Sequence, residues 1–259
     1  MEIRDLVNIL DEIYPLNLQQ SWDNSGLQFG NLKNELKNVL ISLDFSYESV
    51  QEAIKNECNL IINHHPYFFN AQKKLNFDDP FYTAIQEAIK NGITVYAMHT
   101  NLDVADGGVN DNLCKILNIK NIQNLEDKEY SFGKIGEYEK ELYAKDFAIF
   151  VKKILKPNGV ILFGNCNKKI KKVAVCSGAG ASLLDDAIKK GADVMLTSDI
   201  KYNDGLDYSN RGLVIVDPGH FASENHIIYK LKEDIEKIFE NVNNKVFAFD
   251  KTDSYRTFF

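Results

Sequence analysis

Five side chains of this 259-residue sequence have the types and spacing of metal ligands: His64 and His65 at the end of an apolar run, Asp103, and His220 with Glu224. Imidazole combined with carboxylate suits zinc, manganese or iron, whereas magnesium and calcium sites seldom use several histidines. Five donors, three of them imidazoles, exceed what one tetrahedral ion with an open position takes, so the set predicts two divalent ions. Glu224 is expected to bridge them, because its longer carboxylate can offer one oxygen to each, and His99 is expected to support Asp103 from behind. Such a pair lowers the pKa of a bound water towards about 7 and polarises a carbonyl, imine or phosphoryl oxygen, which is hydrolytic chemistry. A metal that only staples the fold is the competing reading; such sites are usually closed and sulfur-rich, and this set contains no cysteine.

Around these five stand weaker candidates. Asp199, in Ser198-Asp199-Ile200-Lys201-Tyr202, is expected to act as a general base or to support a ligand, and Lys201 or Tyr202 to bind an anionic substrate group. Ser177 and Gly178 open the run Ser-Gly-Ala-Gly-Ala-Ser between a strand and a helix. Their N–H groups would receive a phosphate, or the run is a tight turn without a ligand; neither G-x-G-x-x-G nor a P-loop is present. His226 lies outside the pattern and reads as a surface or helix-face residue, and Trp22 as a packing anchor rather than a ligand platform.

Delivering these groups requires particular elements. Residues 59–62 read as a buried strand stopping at His64-His65-Pro66, and α/β sheets present ligands at the carboxyl ends of parallel strands. Neighbouring strand residues face opposite ways, so both imidazoles reach one site only if the backbone turns there or two ions are present. Periodicity and caps predict helices over 3–13, 46–56, 81–91, 110–117 and 145–155, and strands over 37–44, 92–98, 133–138 and 159–163. The stretch 21–30 reads as a loop pinned by Trp22 and Phe29, and 118–131 as the polar connection between halves.

The second half repeats the first. Segments 171–175, 187–189 and 194–196 match 37–41, 53–55 and 60–62 at a constant offset of 134 (187 − 53), and 212–216 matches 92–96 at an offset of 120 (212 − 92). The repeat predicts an α/β fold of two similar lobes, 1–125 and 126–259, whose strand ends face a shared cleft.

Hydrophobic residues at 44% and charged residues at 26% fit a globular protein. The net charge of −7 and pI near 5.3 speak against a broadly nucleic-acid-binding surface. A charged amino terminus and the lack of any apolar run of spanning length predict a cytoplasmic protein without a membrane segment. Cys58, Cys114, Cys166 and Cys176 include no C-x-x-C and read as reduced, mostly buried thiols.

With WDNSGLQFG, NHHP, HTNLD, SGAGAS, TSDIKY and GHFASE in order, nearly the whole chain resembles the NIF-three-like family (Ngg-interacting factor three), whose bacterial members are described as type 2 GTP cyclohydrolase I homologs. That resemblance implies the same dinuclear ligands, His64, His65, Asp103, His220 and Glu224. It also implies two interlocked α/β lobes with the metals in the cleft, a toroidal homohexamer with its sites on an internal cavity, and hydrolysis of a GTP-like nucleotide. A non-enzymatic metal-binding or regulatory scaffold is the alternative. Two departures stand out. Many relatives continue Tyr-His where this chain has Tyr202-Asn203, and the span 118–170 is too short for the extra domain that longer relatives insert.

Overall fold

Ile3, Leu6, Val7 and Leu10 recur at helical spacing and all four are buried along α1 (Ile3–Ile13), while Ile13, expected on the same face, is 44% exposed at its end. The computed structural model describes residues 1–240 and 242–251. After α1 come β1 (Gly26–Phe29), β2 (Asn38–Ser42), α2 (Tyr47–Lys55), β3 (Cys58–Asn63), α3 (Thr83–Lys90), β4 (Thr94–Ala97) and α4 (Thr100–Val104). The Ser46 hydroxyl caps α2 by accepting from Ser49 N, as its position before the helix predicts. Next follow α5 (Val109–Ile116), β5 (Lys120–Asn124), β6 (Lys134–Tyr143), α6 (Ala144–Leu155), β7 (Ile161–Phe163), β8 (Lys169–Val175), α7 (Leu184–Lys189), β9 (Val194–Leu196), α8 (Tyr202–Asn210), β10 (Val214–Asp217) and α9 (His220–Glu224). The described chain closes with α10 (His226–Ile238) and β11 (Val246–Phe249).

Among the described residues two units result, one formed by Met1–Ala105 with the residues that follow His226, the other by Asp106–His226. The first holds a sheet ordered β1-β4-β3-β2-β11 and the second a sheet ordered β5-β6-β8-β9-β10-β7. The expected division at 125/126 therefore shifts. Residues 118–131, read as a connection, include β5, which hydrogen-bonds to β6, and β11 pairs in parallel with β2 of the first sheet. The last residues of the expected second lobe, 252–259, lie outside the described residues.

Within each unit the repeat is visible in hydrogen-bond register. Val39 lies opposite Leu60 and Val173 opposite Val194, and both partners move by 134. Leu60 lies opposite Thr94 and Val194 opposite Val214, a further match at offsets of 134 and 120. Each parallel triplet carries an antiparallel strand on its outer edge, β1 on β4 and β7 on β10. The strand at 26–29 was expected to be loop, so the repeat extends further than its side-chain pattern declares. Val50, Ala53, Ile61, Ile85 and Val95 pack the first core, and Phe147, Val173, Val194 and Val216 one face of the second.

All four cysteines are free and all but Cys166 are buried; burial pushes the Cys58 thiol up to about 12. Among the described residues, no helix is long and apolar enough to cross a membrane.

The return of α10 to the first unit is fastened by a polar knot. Asp234 Oδ2 accepts from the Tyr14 hydroxyl at 2.6 Å and from Lys230 Nζ, which also donates to Tyr14 at 3.0 Å. Burial opposes the charged form of Asp234, but the bonds from Lys230 and Tyr14 outweigh it and hold its carboxyl below the ordinary 3.8. A lowered carboxyl contributes stability that is present above its unfolded value and disappears as pH falls through its folded value. Asp234→Asn should therefore cost about 1–3 kcal/mol near neutrality. In urea titrations the gap from wild type should close as the pH is taken below 3.8; a gap that persists there would show that the charge plays no part.

Candidate metal centre

β3 runs apolar through Ile61 and Ile62 and then turns at once. The amides of His64 and His65 both donate to the Leu43 carbonyl at 3.0 Å, so the backbone coils where two successive N–H groups share one acceptor. This turn answers the facing problem: the two rings, which an extended strand would separate, lie 5.0 Å apart by centroid. Met98, just past β4, accepts from His64 Nδ1 at 2.7 Å, and Asp44 Oδ1, just past β2, bonds His65 Nδ1 at 2.6 Å. Three consecutive parallel strand ends thus supply the ligands or their supports.

With Nδ1 donating to a carbonyl, His64 carries its lone pair on Nε2, and Nε2 stands 3.5 Å from Asp103 Oδ1 on α4. His64 is 1% exposed and Asp103 8% exposed. A lone pair facing a carboxylate in a buried place calls for a cation between them, either a second proton or a metal.

His99 was expected to support Asp103. The structure assigns its side chain elsewhere: Nδ1 bonds Asp23 Oδ1 at 2.8 Å, and it is the His99 carbonyl that accepts from Asp103 N at 3.0 Å. Ligand nitrogens of His64, His65 and His99 lie within 4.8 Å of one another, which makes His99 a candidate donor in its own right. Asp23 is the residue that sequence reasoning missed. It takes bonds from Thr100 N at 3.0 Å and Ser25 Oγ at 2.9 Å as well as from His99. Burial works against its charge, but the His99 and Thr100 bonds outweigh that and hold its carboxyl far below the usual range. Its neighbour Trp22, expected to anchor the core, is instead 62% exposed.

In the second unit, α9 opens at His220 and ends at Glu224, so the i, i+4 spacing puts both on one face, with His220 Nε2 3.1 Å from Glu224 Oε2. Asp199 Oδ2 holds His220 Nδ1 at 2.6 Å. That places Asp199 as an orienting partner, one of the two roles expected of it. Burial lowers the His220 pKa, but its bonds to Asp199 and Glu224 prevail and carry it up to about 10. The turn into α9 is set by Asp217, whose Oδ1 accepts from Gly219 N at 2.7 Å, with Gly219 at φ +85.

Ser177 and Gly178 do not offer the phosphate cradle. Ser177 N already donates to Asn110 Oδ1 at 2.8 Å and Gly178 N to Ser223 Oγ at 2.9 Å. Gly178 serves differently, at φ +60, by leaving room beside Glu224 and His220. Lys201 and Tyr202 are both exposed at the amino end of α8, Tyr202 by 77%. His226 is not a surface residue: half-buried, it bonds Ser223 O at 3.0 Å and Asn112 Nδ2 at 2.8 Å, and burial lowers its pKa to about 4.

The four imidazoles share one construction. Each has Nδ1 held, by the Met98 carbonyl, Asp44, Asp23 or Asp199, which leaves Nε2 as the nitrogen that could coordinate an ion. This is the support that metal-ligating histidines receive from their surroundings, so the donor set fits a divalent metal.

A family model described as Duf34/NIF3 (NGG1p interacting factor 3) matches residues 1–254. A Clostridium perfringens protein named GTP cyclohydrolase 1 type 2 homolog is 34% identical, over 92% of this chain and 92% of its own. The crystal structure of a Staphylococcus aureus hypothetical protein superposes with a TM-score of 0.93 at 30% identity, covering 100% of this chain and 99% of that one. A Bacillus cereus protein related to NIF3 gives 0.94 at 25% identity, with the same coverage.

Proposed function

Because the chain belongs to the Duf34/NIF3 family, we propose that it is a divalent-metal-dependent hydrolase acting on a GTP-like nucleotide, with two ions held by His64, His65 and Asp103 and by His220 and Glu224. The observation that carries this reading is the shared construction of the imidazoles, each fixed through Nδ1 so that Nε2 is presented. A closed structural site would draw on thiolates, and the three buried cysteines pack in the cores instead. The names of the curated relatives point to GTP as the first substrate to try.

When bound, zinc, iron or manganese would supply Lewis acidity and an activated water. The chain's own residues do the positioning. Asp44 and Asp199 hold the His65 and His220 rings in one tautomer, and Met98 does the same for His64. Glu224, 4% exposed, gives a carboxylate too buried to be left without positive charge nearby. His99, held through Nδ1 by Asp23, presents Nε2 beside His64 and His65.

The decisive assay compares chelator-stripped protein with protein reloaded separately with zinc, manganese or iron. GTP turnover, with its product identified by mass, should appear only on reloading. Stoichiometric metal uptake without turnover of GTP or simple phosphoesters would instead favour a non-enzymatic metal-binding scaffold.

A further inference from the structure

Resting on that hydrolase reading, we propose that Trp22 and Phe69 form an aromatic seat that holds the planar ring of the substrate beside His99. The two side chains are 62% and 49% exposed, yet both converge on the same imidazole. Their ring centroids lie 6.1 Å and 5.5 Å from that of His99, at steep angles of 74° and 90°. Single exposed hydrophobic residues need no explanation; two large rings meeting at a candidate metal ligand do.

The backbone that carries them is fixed rather than loose. Asn24 Nδ2 donates to the Phe68 carbonyl at 2.6 Å, Gln28 Nε2 to the Asn24 carbonyl at 2.7 Å, and Phe68 N to Gln28 Oε1 at 3.2 Å. The first and last of these bonds tie the Trp22 segment to the Phe69 segment and the middle one braces the former, while Asp23 ties it to His99. Two rings are thus held in place with their apolar surface turned to solvent.

Their size selects the occupant. Two side chains offer far less than the roughly 800 Å² per partner of a standard protein interface. They do match a heteroaromatic ring, for which stacking on a protein aromatic is worth about 1–3 kcal/mol and tolerates different bases. A ring seated there would be presented to the donors of the first unit.

Trp22 is the single tryptophan, so its fluorescence reports on this place alone. Metal-loaded protein is titrated with guanosine monophosphate, adenosine monophosphate and ribose 5-phosphate, with free N-acetyltryptophanamide as the control for inner-filter loss. Saturable quenching by a nucleotide but not by ribose 5-phosphate is expected. Phe69→Leu should weaken it about tenfold or more, and Phe69→Tyr should restore it. The seat is overturned if neither nucleotide quenches saturably, if ribose 5-phosphate quenches equally, or if Phe69→Leu binds like wild type. Because binding is read without turnover, ring-dependent quenching alongside no metal-dependent hydrolysis would sink the hydrolase reading alone. Intact hydrolysis without quenching would sink the seat alone.

Discussion

His64→Ala should bring metal-dependent GTP turnover to background and weaken divalent-metal binding by more than about 100-fold. Loss of a residue that merely supports a ligand typically costs about 10–100-fold, and His64 is proposed as a ligand itself. Its Nδ1 is committed to the Met98 carbonyl at 2.7 Å, so the atom aimed at Asp103 Oδ1, 3.5 Å away, has no substitute on an alanine. Asp103, 8% exposed, would lose the imidazole that faces it. The fold should survive, because the sheet hydrogen bonds of β3 end at Asn63 and the 64–65 turn is made by main-chain amides. Asp44→Asn is the milder companion: it leaves His65 in place but removes the charge that fixes its ring, and should fall within the 10–100-fold range. Metal content by elemental analysis, alongside turnover and circular dichroism, reads all three effects. Wild-type turnover in folded His64→Ala would place the chemistry elsewhere in the molecule.

How far the sequence discloses this arrangement depends on whether a residue's role is local. α1 and α2 are legible because each buries one face and leaves the matching period in the letters, and β3 because, buried on both faces, it is a short continuous apolar run. His220 and Glu224 are legible for the same reason, being one helical turn apart. β5 carries no such trace: four of its five residues are exposed, so no alternation between a wet and a dry face marks it. β1 is only four residues long, with Leu27 44% exposed and a register irregularity between Leu27 and Phe29.

Asp23 was hidden for a related reason. Its partner lies 76 positions away, and only the antiparallel pairing of β1 with β4 brings them together. Gly26 pairs with Ala97, and three residues further along each antiparallel chain Asp23 falls opposite Thr100, whose amide it accepts. Once β1 is read as loop, nothing in the letters joins the Trp-Asp-Asn-Ser motif to His99.

The duplication also shows where sequence equivalence stops being chemical equivalence. His65 and Asp199 occupy the same repeated position (65 + 134 = 199), yet one presents an imidazole and the other orients His220. Asp44 and Gly178 are likewise equivalent (44 + 134 = 178). In the first unit that position supplies the carboxylate that fixes His65; in the second it supplies the room that the Glu224 carboxylate fills. The repeat thus locates the positions, while an imidazole at one and a carboxylate at its counterpart serve different ends.

That close approach of Glu224 makes Gly178→Ala the sharpest test in the second unit. A Cβ there would penetrate Glu224 Oε1 and lie 3.3 Å from both Glu224 Cδ and His220 Cε1. The carboxylate is 4% exposed and has little room to retreat, so it must rotate away from His220 or push α9 outward. The residue also sits at φ +60, where an alanine costs about 1–2 kcal/mol of backbone strain whatever surrounds it. Strain and displacement are separated by a control in the same unit. Gly191 has φ +73 with nothing within 4 Å of its would-be Cβ, so Gly191→Ala carries the strain alone. In urea unfolding of the metal-free protein, Gly178→Ala should lose at least as much stability as Gly191→Ala. Only Gly178→Ala should lose metal affinity, by about tenfold or more, since it displaces a proposed ligand rather than a support. Equal metal affinity in the two variants would mean that the Glu224 carboxylate is not where the metal is held.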